Sequence, residues 1–201
     1  KSNINFFVGG GEKYFNNRED KRNLMNEMKD YTFVNSLEDY KNIFSKNIGF
    51  FTAYDDPIQK NFGREPSLED ITEATIEKLK NFDKPFFILV EGSQIDWAEH
   101  DNDQEYLLSE MLEFDEAVEV SYKYAKENKN TLVIVTADHE TGGAAIVSGD
   151  LEKQIVKINY SSDEHTSEMV PVFSIGPYSE NFKGVYDNTE IFNKLFEIVK
   201  E

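Results

Sequence analysis

Residues 86–100 read Phe-Phe-Ile-Leu-Val-Glu-Gly-Ser-Gln-Ile-Asp-Trp-Ala-Glu-His, an apolar run that passes directly into a polar stretch. The short, wholly apolar run predicts a buried parallel strand over Phe86–Val90. Asp96 and His100 are four residues apart, so a helix in the polar stretch places both on one face, where they can bind one zinc ion. The alternative is an exposed acid and histidine near a helix start.

Glu91 follows the apolar run directly. A carboxylate buried at that point needs a charged partner, and a hard cation such as magnesium prefers oxygen ligands. The plainer interpretation is an acid at the rim of the sheet, and the sequence leaves both open.

The three histidines of the chain, His100, His139 and His165, all lie beside carboxylates. Asp138 and His139 follow the apolar run Thr131–Val135, at the carboxyl edge of the predicted sheet, where open α/β folds build their sites. An Asp-His pair by itself is a weak signal, because such pairs are common in loops. Metal sites need several convergent ligands, so the clustering of the histidines with acids is what favours metal binding.

Apolar runs alternate with helical patterns along the chain. Strands are predicted over Ile4–Val8, Phe86–Val90, Thr131–Val135 and Val170–Ile175, the first three of them buried and parallel. Helices are predicted over Lys21–Asp30, over Leu37–Ser45, from Ser67 with Asp70 as its capping-box partner, over Gln104–Glu127, and from Asn188. This alternation predicts a layered α/β fold without an internal domain boundary.

The composition excludes several classes of function. The 201 residues include 39 acidic and 21 basic ones, which gives a net charge of -18, and no cysteine. No basic block is present, so a nucleic-acid partner is not expected. No run approaches the ~18 apolar residues that span a bilayer, and the first residues lack a signal-peptide pattern. Bound metal ions are the obvious source of the positive charge that an acidic protein needs to bind phosphate.

Three segments together resemble the alkaline phosphatases: residues 86–100, residues 131–139 (Thr-Leu-Val-Ile-Val-Thr-Ala-Asp-His) and residues 164–172 (Glu-His-Thr-Ser-Glu-Met-Val-Pro-Val). Residues 6–15, Phe-Phe-Val-Gly-Gly-Gly-Glu-Lys-Tyr-Phe, resemble a strand and glycine turn in the middle of that family's chain. The resemblance implies a three-layer α/β/α fold with a mostly parallel sheet. Residues 1–201 are then the C-terminal part of a single alkaline-phosphatase-like catalytic domain.

The resemblance also implies a role for each candidate ligand. A complete site of the family has two zinc ions and one magnesium ion, and acts on a phosphate monoester to release inorganic phosphate. Asp96, His100 and His165 match the three protein ligands of the first zinc, Asp138 and His139 match two ligands of the second, and Glu91 matches a magnesium ligand.

The attacking serine of the family lies in an Asp-Ser-Ala segment, which this sequence lacks. We therefore expect phosphoserine chemistry only with a nucleophile from outside this chain, and an inactive chain by itself. A noncatalytic metal-binding domain remains an alternative, as does another superfamily member such as a phosphomutase or phosphodiesterase, although Glu91 in its setting favours the phosphatase. The family implies a periplasmic or secreted location, and the lack of a long apolar run predicts no membrane partner. A homodimer is possible, although the stretch from His139 to His165 is shorter than in members that dimerise through an inserted subdomain.

Overall fold

The computed structural model describes residues 4–82 and 84–200. The chain divides into two units, Lys1–Val90 and Glu91–Glu201. Both mix strands with helices, as an α/β fold requires. The prediction that residues 1–201 form part of one catalytic domain stays a prediction.

Within its described residues, the first unit contains a small parallel sheet and four α-helices. Its elements are β1 (Phe6–Gly9), α1 (Lys13–Asn16), α2 (Leu24–Glu27), β2 (Thr32–Val34), α3 (Leu37–Asn42), β3 (Ile48–Phe51) and α4 (Leu68–Lys80). The strand predicted over Ile4–Val8 is thus confirmed with a shift of its ends. The helices predicted over Lys21–Asp30 and Leu37–Ser45 are confirmed in shorter form.

The core of the first unit surrounds β3, which lies between β1 and β2 and is parallel to both. All four residues of β3 are buried, as expected for a central strand with both faces covered. Gly49 lies between the rings of Phe7 and Phe33, and a Cβ atom there would come within 2.6 Å and 2.8 Å of them. Only glycine therefore fits this position without displacing an aromatic ring.

Helix α4 begins as the capping pattern predicts. The hydroxyl of Ser67 accepts a hydrogen bond from the backbone N–H of Asp70 at 3.0 Å and donates to the Asp70 carboxylate at 2.9 Å. This satisfies one of the free N–H groups of the first helical turn. The helix then packs Ala74 against Tyr40 of α3 and against β3.

The strand predicted over Phe86–Val90 is wrong. The segment has no regular secondary structure, and Phe87 and Leu89 are 71% and 81% exposed. Within the described part of the chain, the backbone of Phe87–Val90 makes no hydrogen bond. A strand exists only through its ladder with a neighbour, and none of the described strands pairs with this segment.

Three α-helices and six short strands make up the regular structure in the described part of the second unit. Its elements are α5 (Gln94–His100), α6 (Gln104–Glu127), β4 (Val133–Thr136), β5 (Glu140–Thr141), β6 (Ala145–Asp150), β7 (Ile155–Asn159), β8 (His165–Thr166), β9 (Val172–Ile175) and α7 (Glu190–Lys200). The long helix is confirmed with the predicted bounds. The final helix is confirmed two residues later than predicted.

Helices α5 and α6 form the core beneath the polar stretch. Ala98, Tyr106 and Leu107 are buried together. The Tyr106 hydroxyl donates to the side-chain oxygen of Gln94 at 2.7 Å, so its polar end is satisfied inside the core. The Asp103 carboxylate caps α6 by accepting from two backbone N–H groups. This packing fixes α5, which contains two of the predicted ligands.

The remaining strands of the second unit form three antiparallel pairs: β4 with β9, β5 with β8, and β6 with β7. The strand predicted over Thr131–Val135 is therefore present, but its prediction as a buried parallel strand is wrong. The apolar character of a run does not specify the direction of the neighbouring strand, which the chain path decides. Among the described residues, no helix has the length and apolar character needed to cross a membrane.

Candidate metal centre

Helix α5 places Asp96 and His100 on one face. The two residues are one helical turn apart, and the Asp96 Oδ1 atom lies 3.4 Å from the His100 Nε2 atom. Their side chains are 35% and 32% exposed, so one side of the pair faces solvent. The spacing predicted from sequence is confirmed as a shared face.

The bridge between β5 and β8 brings His165 to the same place. Glu140 pairs with Thr166, and Thr141 pairs with His165. The Glu140 carboxylate accepts hydrogen bonds from the N–H groups of Gly143 and Ala144, at 3.2 Å and 3.0 Å, and from the Thr166 hydroxyl. Burial raises the pKa of the Glu140 carboxyl, but these hydrogen bonds outweigh it and the pKa is lowered. Glu140 therefore fastens the two short strands together as an anion.

Three donor atoms converge at this point: Asp96 Oδ1, His100 Nε2 and His165 Nε2. The distance between the two Nε2 atoms is 3.1 Å, and the His165 Nε2 atom lies 3.3 Å from Asp96 Oδ1. Ligands held 2.0–2.1 Å from a zinc ion at tetrahedral angles are about 3.3 Å apart. The three atoms are thus spaced like the corners of one face of a zinc tetrahedron.

A backbone contact fixes the tautomer of His100. Its Nδ1 atom lies 2.6 Å from the carbonyl oxygen of Asp163. Because a carbonyl can only accept, Nδ1 carries the hydrogen and the neutral ring presents the lone pair of Nε2 to the cluster. The same hydrogen bond raises the pKa of His100 above its ordinary value.

We expect zinc binding to weaken as pH falls, starting above pH 6.5. The raised pKa of His100 means that protons compete for the ring earlier than for an ordinary histidine. The stability of the metal-free chain depends on pH in the opposite direction. The raised pKa of His100 increases the free energy of unfolding below about pH 6.5, and this contribution is lost as pH rises through the pKa of the folded state. Thermal unfolding with and without zinc should show a large zinc-dependent rise in Tm at pH 8 and almost none at pH 5.5. A pH-independent rise contradicts the assignment of imidazole ligands.

His139 and Asp138 lie beside the cluster without joining it. The His139 ring stacks on the His165 ring with a centroid distance of 3.6 Å. Its Nε2 atom is 3.4 Å from the carboxylate of Asp138, whose side chain is 88% exposed. Among the residues that the structure describes, only Asp96, His100 and His165 form a group of three ligand atoms. Asp138 and His139 therefore remain a predicted partial ligand set.

Glu91 lies in the irregular segment before α5 and is exposed. The structure brings it into no group of three ligands within residues 4–82 and 84–200. Its predicted role as a magnesium ligand stays a prediction.

Glu99 is a further titratable residue of this site that the sequence analysis did not identify. This half-buried carboxyl lies in α5 next to His100, and its pKa is raised to about 7, first by burial and then by the charges of Glu140 and Asp96. Between pH 4.5 and about 7, the metal-free folded chain therefore holds a proton that the unfolded chain has lost. Stability falls as pH rises through that window.

We expect Glu99→Gln to stabilise the metal-free chain at pH 8, where the charged form is disfavoured. The gain in the free energy of unfolding is about 1–2 kcal/mol, less than the full shift implies because water reaches half of the side chain. Urea unfolding at pH 8 and pH 5 measures it, with exposed Glu168→Gln as the control for removing one charge. An equal effect at both pH values would contradict the raised pKa.

Comparison with known proteins gives a consistent result. The family model for alkaline phosphatase matches residues 1–155 and 150–201. The chain belongs to the alkaline phosphatase family. It is 32% identical to alkaline phosphatase 4 of Bacillus subtilis, in a match that includes 100% of this chain and 58% of that protein. The corresponding match to alkaline phosphatase 3 of the same organism has 31% identity and covers 59% of that protein.

Solved alkaline phosphatases share the fold. The enzyme from the Antarctic bacterium TAB5 superposes with a TM-score of 0.91 and 36% identity, over 99% of this chain and 61% of that chain. A variant of the TAB5 enzyme with Mg bound in the M3 site superposes with a TM-score of 0.89 and 34% identity. The predicted α/β alkaline-phosphatase-like fold is thereby confirmed. This chain spans about three fifths of the length of these relatives.

The relatives are longer within the matched part as well. The match to alkaline phosphatase 4 extends over 273 positions, and the family model aligns in two pieces that overlap at residues 150–155. Here those residues include the end of β6, the start of β7 and the turn between them, where Leu151 is 98% exposed. The Gln104 side chain holds this hairpin by donating to the Val156 carbonyl at 3.0 Å and accepting from the Ile158 N–H at 2.7 Å. A short hairpin thus lies where the two pieces of the family match meet.

Proposed function

We propose that this chain supplies the C-terminal metal ligands of an alkaline phosphatase, a phosphoric monoester hydrolase that acts through a phosphoserine on two zinc ions and one magnesium ion. The observation that carries the proposal is the convergence of Asp96, His100 and His165 at the spacing of a zinc tetrahedron. Three protein ligands with an open fourth position are typical of catalytic rather than structural zinc. The family assignment supports phosphatase chemistry over a phosphomutase or phosphodiesterase.

Three features of the cluster and its neighbours favour metal binding. The Asp163 carbonyl holds His100 in the tautomer that leaves Nε2 free, and the Glu140 bridge holds His165 opposite α5. Asp96 supplies the negative charge that offsets a divalent ion. Zinc bound there would supply a Lewis acid for a phosphate oxygen and steady the charge of the leaving group.

The second zinc and the magnesium need more ligands than this chain brings together. By family resemblance, Asp138 and His139 would contribute to the second zinc, and Glu91 to the magnesium. The nucleophilic serine and the remaining ligands would come from the part of the fold that the relatives have and this chain does not match. The family implies secretion, which stays a prediction.

The segment Phe87–Val90 supports a requirement for additional polypeptide. It has the apolar sequence of a buried strand, yet its backbone makes no hydrogen bond in the described part of the chain and Leu89 is 81% exposed. Exposed apolar runs with free backbone groups accept further strands. We therefore expect the 201-residue chain to be inactive by itself.

A chimera tests the proposal. The N-terminal part of alkaline phosphatase 4 from Bacillus subtilis, which supplies the family's serine, is joined to this chain in place of the matching region. Hydrolysis of p-nitrophenyl phosphate is measured with zinc and magnesium at alkaline pH for the chimera, for the chain alone, and for the chimera with Asp96→Ala. The proposal is supported if the unsubstituted chimera is active and the other two proteins are inactive. A folded, zinc-loaded chimera without activity favours a noncatalytic metal-binding domain. Activity of the chain alone would disprove the claim that its nucleophile is missing.

A further inference from the structure

Thr141 links residues of both predicted zinc sites. It is 1% exposed, and its hydroxyl donates to Asp96 Oδ1 at 2.8 Å. The same oxygen lies 3.1 Å from the Nδ1 atom of His139. From sequence, a hydroxyl in this loop is expected to bond to the backbone. The structure instead directs it to two side chains, Asp96 of the first predicted site and His139 of the second.

The direction of these hydrogen bonds follows from the proton count. A hydroxyl has one proton, and the Asp96 carboxylate can only accept. With that proton committed to Asp96, the Thr141 oxygen must accept from His139, so Nδ1 carries the hydrogen of the neutral ring. The lone pair of His139 is then on Nε2, the nitrogen that faces Asp138.

The position of the hydroxyl is fixed from two directions. The backbone of Thr141 lies in β5 and pairs with His165 of β8, so the same two-strand bridge holds this hydroxyl and one of the predicted ligands. The β-branched side chain has few rotamers, and burial leaves it no room to turn away. Because Thr141 is buried, water has little access to this position to replace the hydroxyl as the link between the two side chains.

We propose that Thr141 is a positioning residue that orients Asp96 and sets the tautomer of His139, so that one buried hydroxyl prepares both zinc sites. The inference rests on the proposed function for the identity of the metals. The inference about the tautomer of His139 is independent of the proposed function, because the tautomer is a property of the metal-free chain. Hydrogen-bond partners of metal ligands typically contribute a factor of about 10–100 to metal affinity.

The test compares Thr141→Val, which keeps the shape and removes the hydroxyl, with Thr141→Ser, which keeps the hydroxyl. Because the chain has only three histidines, ¹⁵N NMR of histidine-labelled metal-free protein at pH 9 resolves each ring. His139 should show hydrogen on Nδ1 in the unaltered chain and in Thr141→Ser, and a mixture of tautomers in Thr141→Val. Zinc affinity, measured by competition with a chelator, should fall about 10-fold or more in Thr141→Val and recover in Thr141→Ser.

A matched control separates this role from simple packing. Thr72→Val removes another buried hydroxyl, which donates only to the Leu68 carbonyl within α4, and should change neither the His139 tautomer nor zinc affinity. Hydrogen on Nε2 of His139 in the unaltered chain, or an unchanged tautomer and affinity in Thr141→Val, overturns the inference. If the tautomers follow the prediction but the chain binds no zinc, the role of Thr141 is supported and only the proposed function is contradicted.

Discussion

His165→Ala is expected to lower the zinc affinity of the chain by at least about 100-fold. This effect is larger than that of removing a residue that only hydrogen-bonds to a metal ligand. Only Asp96 and His100 would remain of the three convergent ligands, and two protein ligands hold zinc poorly. Isothermal titration of the metal-free chain at pH 8 measures the change. In the chimera, the same substitution should remove one zinc ion and most of the activity.

The control for this substitution is Met169→Ala, four residues further along and 81% exposed. It should leave the titration unchanged, and circular dichroism should show that both variants keep their helices. Retained high-affinity zinc in a folded His165→Ala variant would exclude this residue as a ligand.

Glu140→Ala is expected to have the largest effect on stability. The substitution leaves the N–H groups of Gly143 and Ala144 and the hydroxyl of Thr166 without their charged acceptor. Losing charge-assisted hydrogen bonds of this kind costs about 2–3 kcal/mol in the free energy of unfolding. Urea unfolding of the metal-free chain at pH 7 gives that value.

Zinc affinity should also fall in Glu140→Ala, because the bridge that Glu140 fastens is what holds His165 beside α5. The exposed carboxylate of Glu168 provides the matched control. Glu168→Ala should be neutral in both measurements. Equal stability of the Glu140 and Glu168 variants would show that the bridge does not depend on this carboxylate.

The sequence predicted the helical spacing of Asp96 and His100 better than it predicted the pairing of the strands. Asp96 and His100 share a face because helical spacing is local, and the bounds of Gln104–Glu127 were found because its apolar period of three and four continues for many turns. The approach of His165 to this pair could not follow from local spacing. It depends on a two-residue bridge, and only the family resemblance indicated it in advance.

Long-range pairing accounts for what the sequence did not predict. The direction of β4, and the absence of a strand over Phe87–Val90 among the described residues, depend on which strands lie nearby, and an apolar run contains no such information. Thr141 and Glu140 were missed as contributors to the site for the same reason. Their partners are up to 45 residues away along the chain, although the run of turn residues after His139 indicates a tight loop there.

The most direct test of the central claim is zinc K-edge X-ray absorption on the 201-residue chain loaded with one equivalent of zinc. We predict a first shell of four nitrogen and oxygen atoms at about 2.0–2.1 Å, with outer-shell scattering from two imidazole rings, reduced to one ring in His165→Ala. A six-coordinate oxygen shell without imidazole scattering would contradict the assignment of Asp96, His100 and His165 as a zinc site.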